Sequence, residues 1–176
     1  MKTIIIVIFS GIALLLPGCQ RAKRQGRSDA YVLKAGEGEK LRGGSIVIKA
    51  DPRTGSYDAS MFTQTFLPGM ATSLHTHERA DEFFFVYEGS GTAVIRSKSI
   101  HIGKGDVVFI PKGTEHRIEN SGSEGALEIV AWVSRPGLEQ FFRELDVARQ
   151  KAAPRKLTLD EVNAIARKYG DKILGR

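Results

Sequence analysis

The chain has 176 residues, 41% hydrophobic and 26% charged, with 19 glycines, a makeup that fits one domain plus a flanking segment and excludes disordered or collagen-like chains. Its single cysteine excludes a disulfide framework and every multi-cysteine zinc or iron–sulfur site, which leaves histidine and carboxylate as the available metal ligands. The net charge of +6 sits at the ends, with +1 over residues 1–18, +3 over 19–30, −2 over 31–134 and +4 over 135–176, so the central region offers no basic face to nucleic acid.

Lys2 precedes an apolar run of thirteen residues, Ile4 to Leu16. About 20 residues are needed to cross a bilayer as a helix, so the run reads as a secretory signal peptide over residues 1–18. With no twin arginine, the Sec route is expected. Leu16-Pro17-Gly18-Cys19 resembles the lipobox of bacterial lipoproteins, with Pro17 where a small or aliphatic residue is usual. That resemblance implies lipidation at Cys19 and an exported, membrane-anchored protein on the periplasmic or cell-surface side. Residues 19–30, rich in arginine and lysine, read as a flexible tether ahead of a folded region at 31–134.

From Ser45 to Val133, short apolar or alternating runs stand between turn signals, which is an all-β pattern. The expected strands are Ser45–Lys49, Ser60–Leu67, Leu74–His77, Glu82–Tyr87, Thr92–Arg96, Ile100–Ile102, Val107–Ile110, His116–Glu119 and Leu127–Val133. Pro68-Gly69, Gly89-Ser90-Gly91, Gly103-Lys104-Gly105, Pro111-Lys112-Gly113 and Asn120-Ser121-Gly122 supply the turns. Strands this short and this closely spaced build a sandwich or a jelly-roll barrel. Whether Phe62, Gln64 and Phe66 or Met61, Thr63 and Thr65 face inward stays open, because the Pro68-Gly69 turn interrupts the register. Phe83-Phe84-Phe85-Val86-Tyr87 is apolar on both faces, so a second protomer or the C-terminal helices should cover its outer side.

After Pro136 the period becomes helical. Leu138, Phe141, Phe142 and Leu145 follow i, i+3, i+4, i+7 spacing. A second helix is marked by a capping box of Thr158 and Glu161, a staple of Leu157 and Val162, and a stop at Gly170. These elements make residues 135–176 a short helical extension packed on the barrel.

The chemistry concentrates in two stretches. In the first, His75 and His77 share one face of a strand, roughly 7 Å apart at the backbone, and Glu82 opens a very apolar strand where an unpaired carboxylate would be costly. In the second, Pro111 and Gly113 set a turn that leads to His116. Three imidazoles and one carboxylate suit one divalent transition metal, Fe, Mn, Cu, Ni or Zn, rather than calcium or magnesium. His101, between Ile100 and Ile102, points away from their face and into solvent.

The spacings G-x5-H-x-H-x4-E-x6-G over Gly69 to Gly89 and G-x5-P-x-G-x2-H-x3-N over Gly105 to Asn120 resemble the two signature motifs of the cupin superfamily at all ten fixed positions. The resemblance implies a double-stranded β-helix barrel with His75, His77, Glu82 and His116 as metal ligands; Gly69, Gly89, Gly105, Pro111, Gly113 and Asn120 read as turn-shaping. The fifteen residues between the motifs are typical of compact bacterial cupins, and Arg135 to Phe142 with Lys168-Tyr169-Gly170 resemble the extension of small quercetin-dioxygenase-like members. A cupin site alone does not name a reaction. The expected activity is a metal-dependent oxidoreductase of dioxygenase type on a small organic substrate, with Glu82 remaining a ligand or shifting to act as a base. The alternatives are a non-catalytic module binding metal or a small ligand, and a metal-dependent isomerase or hydrolase.

Overall fold

The computed structural model describes residues 29–175. The signal peptide, Cys19 and nearly all of the expected tether lie outside the described residues, and no helix among the described residues is long and apolar enough to cross a membrane. Eleven strands run in chain order as β1 (Glu39–Leu41), β2 (Ile46–Ala50), β3 (Ser60–Phe66), β4 (Leu74–His77), β5 (Glu82–Glu88), β6 (Ser90–Ile95), β7 (Lys98–Gly103), β8 (Val107–Ile110), β9 (His116–Glu119), β10 (Leu127–Val133) and β11 (Asp171–Gly175). Helices α1 (Leu138–Ala152) and α2 (Leu159–Tyr169) lie between the last two strands.

The strands form two antiparallel sheets. One runs β1-β2-β3-β10-β5-β8 and the other β11-β4-β9-β6-β7, so that consecutive strands repeatedly cross from one sheet to the other. Apolar side chains fill the space between them: Phe62 and Phe66 from β3, Phe84 and Val86 from β5 and Ile129 from β10 face Ala93, Ile102 and Ile118 of the second sheet, all nearly inaccessible. The nine expected strands are present, four with the expected bounds and five with one or both ends moved by one or two residues, and the two-sheet jelly-roll barrel of the cupin type is the observed architecture.

Pairing settles the register of β3. Phe62 stands opposite Ala131 and Gln64 opposite Ile129, both inward-facing positions of β10, so Ser60, Phe62, Gln64 and Phe66 face the core while Met61 is exposed. Between β5 and β6 the chain turns at Gly89, with φ of 77°. A β-carbon there would stand 2.0 Å from the carbonyl oxygen of Ala126. Gly89→Ala is therefore expected to destabilise the domain by more than the roughly 1 kcal/mol that left-handed backbone alone costs a non-glycine residue, seen as a lowered urea midpoint. An unchanged midpoint would show that the turn relaxes.

The helices close the side of the barrel that the sheet edges leave open. Leu138, Phe141, Phe142 and Leu145 form the buried stripe of α1, and the Phe142 ring meets Phe62 edge-on at 5.4 Å and 86°. Arg143 fastens the same helix to the barrel, pairing with Glu39 of β1 and, at 2.6 Å, with buried Asp51. In α2 the Thr158 side chain caps the Glu161 N–H, the Glu161 carboxylate returns to the Thr158 N–H, and Gly170 ends the helix at φ of 85°. The extension does not finish as helix: β11 adds a strand beside β4, and the Asn163 amide both donates to the Ile173 carbonyl and accepts from its N–H, covering the outer edge of β11.

Of the two covers expected for the outer face of β5, the C-terminal helices are ruled out, because they close the open side of the barrel instead. The cross-strand row Phe109, Phe83, Trp132, Met61 stays largely open, with Phe109, Trp132 and Met61 exposed and Phe83 stacked between Phe109 and Trp132 at 4.7 and 5.2 Å.

Candidate metal centre

Four side chains from three strands meet at one end of the barrel. His75 and His77 alternate with Thr76 on β4, so both point inward. His116 begins β9 directly opposite His75. Glu82, the first residue of β5, reaches across from the facing sheet. One ligand atom from each lies within 4.8 Å of all the others, and the ring centroids are 4.2 to 5.3 Å apart. His77, Glu82 and His116 are buried and His75 half-buried. The four residues expected from the sequence are thus brought together, and His101 stands exposed on β7, apart from them.

Each imidazole is oriented by its far nitrogen. His75 Nδ1 lies 2.7 Å from the Ser73 carbonyl, and His116 Nδ1 lies 2.9 Å from the Thr114 carbonyl. A carbonyl can only accept, so both Nδ1 atoms carry the proton and Nε2 faces the centre. For His77 the acceptor is a side chain: Asp171 Oδ1 of β11, at 2.7 Å. The Nε2 atoms of His77 and His116 each stand 3.0 Å from Glu82 Oε2.

This arrangement demands positive charge. Two Nε2 atoms whose rings already hold a proton at Nδ1 confront one carboxylate, and a second proton or a cation must lie between them. Burial drives the His75 pKa down to about 3, with the charges of His116 and His77 acting the same way. At His77 burial also pulls downward, but the Glu82 charge and the hydrogen bonds to Asp171 and Glu82 outweigh it and lift the pKa to about 10. Burial alone would raise Glu82; the His77 charge and the hydrogen bonds from His116 and His77 hold it below the usual carboxylate range. A divalent cation meets the same demand while leaving every imidazole neutral, and three nitrogens with one oxygen match the preferences of Fe, Mn, Cu, Ni and Zn.

The centre opens into a cavity of about 920 Å³. Phe62, Gln64 and Phe84 line it from the barrel, while Phe141, Phe142 and Leu145 of α1 wall its open side. Asp171 escaped the sequence reading because it lies 94 residues beyond His77. Its only local mark is its place directly after the helix-ending Gly170.

Residues 62–133 match the family described as "Cupin domain", a span that holds all four candidate ligands but neither helix nor β11. The "Oxalate-binding protein" of Thermotoga maritima is 36% identical over 66 residues, 37% of this chain and 54% of that protein. "Auxin-binding protein 1" of Arabidopsis thaliana is 31% identical over 99 residues, 51% of this chain and 49% of that protein. The chain spans about half the length of the curated relatives it matches. Among solved structures, a conserved protein with a double-stranded beta-helix domain from Klebsiella pneumoniae superposes with a TM-score of 0.51 at 18% identity, over 60% of this chain and 90% of that one, a likeness of fold. The motif spacing and the interleaved sheets agree with the match of residues 62–133 to the cupin domain family.

Proposed function

We propose that the protein holds one divalent transition metal at His75, His77, Glu82 and His116 and acts as a metal-dependent oxidoreductase of dioxygenase type on a small organic substrate. The observation that carries this reading is that three of the four clustered ligands, His75, His77 and Glu82, line a cavity of about 920 Å³, so substrate can reach the centre. A redox-active ion there would supply electrons and open coordination positions. The chain's residues do the rest: hydrogen bonds at Nδ1 fix the imidazole orientations, Glu82 contributes the one formal negative charge, and the phenyl rings of the wall exclude water.

The test is elemental analysis of the full chain purified without chelators, followed by oxygen uptake with phenolic substrates. About one Fe, Mn, Cu or Ni per chain and substrate-dependent uptake are expected; equal turnover with and without oxygen would overturn the dioxygenase reading. Metal at one hundred times its Kd should stabilise the fold by about 2.7 kcal/mol, raising Tm over the chelator-treated protein by roughly 5–10 °C. A second reading, a ligand-binding module, is favoured by the names of the auxin-binding and oxalate-binding relatives. Ligand-induced stabilisation without turnover would select it.

The same reading places the domain outside the cytoplasm, tethered through lipidated Cys19, supported by the Lys2 start and the apolar run before the cysteine. Mass spectrometry of the membrane fraction should find Cys19 as the modified first residue, and an unmodified Cys19 peptide would overturn it. A second protomer is the proposed cover for the open aromatic row of β5, and a monomer in sedimentation would remove it.

A further inference from the structure

Outside the metal ligands and Asp171, every ionisable side chain that lines the cavity is basic: Arg42, Arg117, Arg149, Arg155 and Lys156. Two of these are already paired, Arg117 with Glu119 at 2.8 Å and Arg155 with Glu161 at 2.7 Å. Arg42 and Arg149 are not matched in that way. They share Asp146, whose Oδ2 accepts from the backbone N–H of Arg42 at 2.6 Å and whose Oδ1 lies 3.9 Å from Arg149 Nη1. The Arg42 guanidinium has no hydrogen-bond partner among the described residues. Arg42 is open to solvent at the mouth, yet the protein around it, and next the charge of Arg149, lower its pKa. Two guanidiniums crowded at one mouth and short of acceptors form a place for an anion.

Deeper in, the Gln64 side chain is only 8% exposed, lines the cavity and has no hydrogen-bond partner among the described residues. Its amide atoms are not sealed from solvent, so they face the cavity, where they can donate to or accept from a bound molecule. The register places it: Gln64 lies opposite Ile129, which lies opposite Val86, four residues along β5 from Glu82. That is about 14 Å of strand, with the row of Phe62 and Phe84 between. A cavity of this length, apolar in its middle, is far larger than a two-carbon diacid requires.

We propose that the cavity takes an amphipathic organic acid, its apolar body against Phe62, Phe84 and Phe142, its acid group paired with Arg42 and Arg149 at the mouth, and a polar substituent received by Gln64. The inference rests on the reading that the cavity above the metal centre is the substrate site. Its test uses the zinc-loaded full chain and three probes, 3-phenylpropionate, its neutral amide 3-phenylpropanamide, and oxalate, with affinities from calorimetry. The acid should bind at least about tenfold more tightly than the amide, the scale of one charge-assisted pairing. Arg42→Gln with Arg149→Gln should reduce that preference to below about threefold while zinc content stays at one per chain. Each single substitution should lose part of it, so the result does not depend on the double variant folding.

The proposal is overturned if the acid preference survives both arginine substitutions, if oxalate binds as tightly as the phenyl acid, or if neither phenyl probe binds. Acid binding that survives the substitutions but vanishes on zinc removal would leave the cavity as the substrate site and place the acid group on the metal instead. Failure of the chain to load zinc at all would count against the metal-site reading, and that is visible before any probe is added.

Discussion

Substituting His116 by alanine is expected to abolish stoichiometric metal binding. Its imidazole is fully buried, its Nδ1 proton is committed to the Thr114 carbonyl, and its Nε2 lies 3.0 Å from Glu82, so the substitution removes one of three nitrogen ligands. Loss of an outer-shell partner costs about 10–100-fold in metal affinity, and loss of a ligand itself should exceed that. Zinc retained by the variant after dialysis against a weak chelator should fall from about one per chain to near zero, while far-UV circular dichroism remains that of a β-barrel. The fold should survive because the residues around the centre, among them Phe84, Ile110 and Ile118, belong to a continuous apolar core that His116 does not anchor. Added imidazole should restore part of the metal content by filling the space left behind. Undiminished zinc in His116→Ala would remove His116 from the ligand set.

Much of this centre could be read from the sequence because its determinants are local. His75 and His77 share a face by the two-residue period of a strand, and the turn set by Pro111 and Gly113 delivers His116 to the start of β9, opposite His75. The strands of the barrel were legible for the same reason, since each is bounded by a turn whose glycine or proline fixes the backbone. What escaped was set by pairing between distant segments. The inward face of β3 is decided by β10, more than sixty residues later, and only that choice turns Gln64 into a cavity residue. β1 and β11 are short edge strands of mixed polarity, without an alternation long enough to mark them. The outer face of β5 shows a further limit: its two-sided apolar pattern called for a cover, but nothing local says that the helices would instead close the open side of the barrel.

The C-terminal extension does more than wall the cavity, and Asp171 is where this can be measured. Two of the three histidines hold their Nδ1 protons on backbone carbonyls two residues earlier, an arrangement each strand supplies for itself. His77 depends instead on Asp171, carried by a strand that follows α2 and is held in place by Asn163. Asp171→Ala is therefore expected to weaken metal binding by roughly 10–100-fold, the usual cost of losing a carboxylate behind a metal-bound imidazole. Asp171→Asn keeps an oxygen that can accept from Nδ1 and should lose less than the alanine variant. A general loss of stability would lower the melting temperatures of metal-free and metal-loaded protein together, whereas a weakened ligand narrows the gap between them, so the gap is the quantity to follow. The visible spectrum of the cobalt-loaded protein gives a second reading, because a His77 ring freed to rotate changes the ligand field. If Asp171→Ala binds cobalt within twofold of the parent with the same spectrum, the centre is complete without β11. If it weakens as expected, docking of the extension and loading of the metal are linked, since each requires His77 in the same orientation.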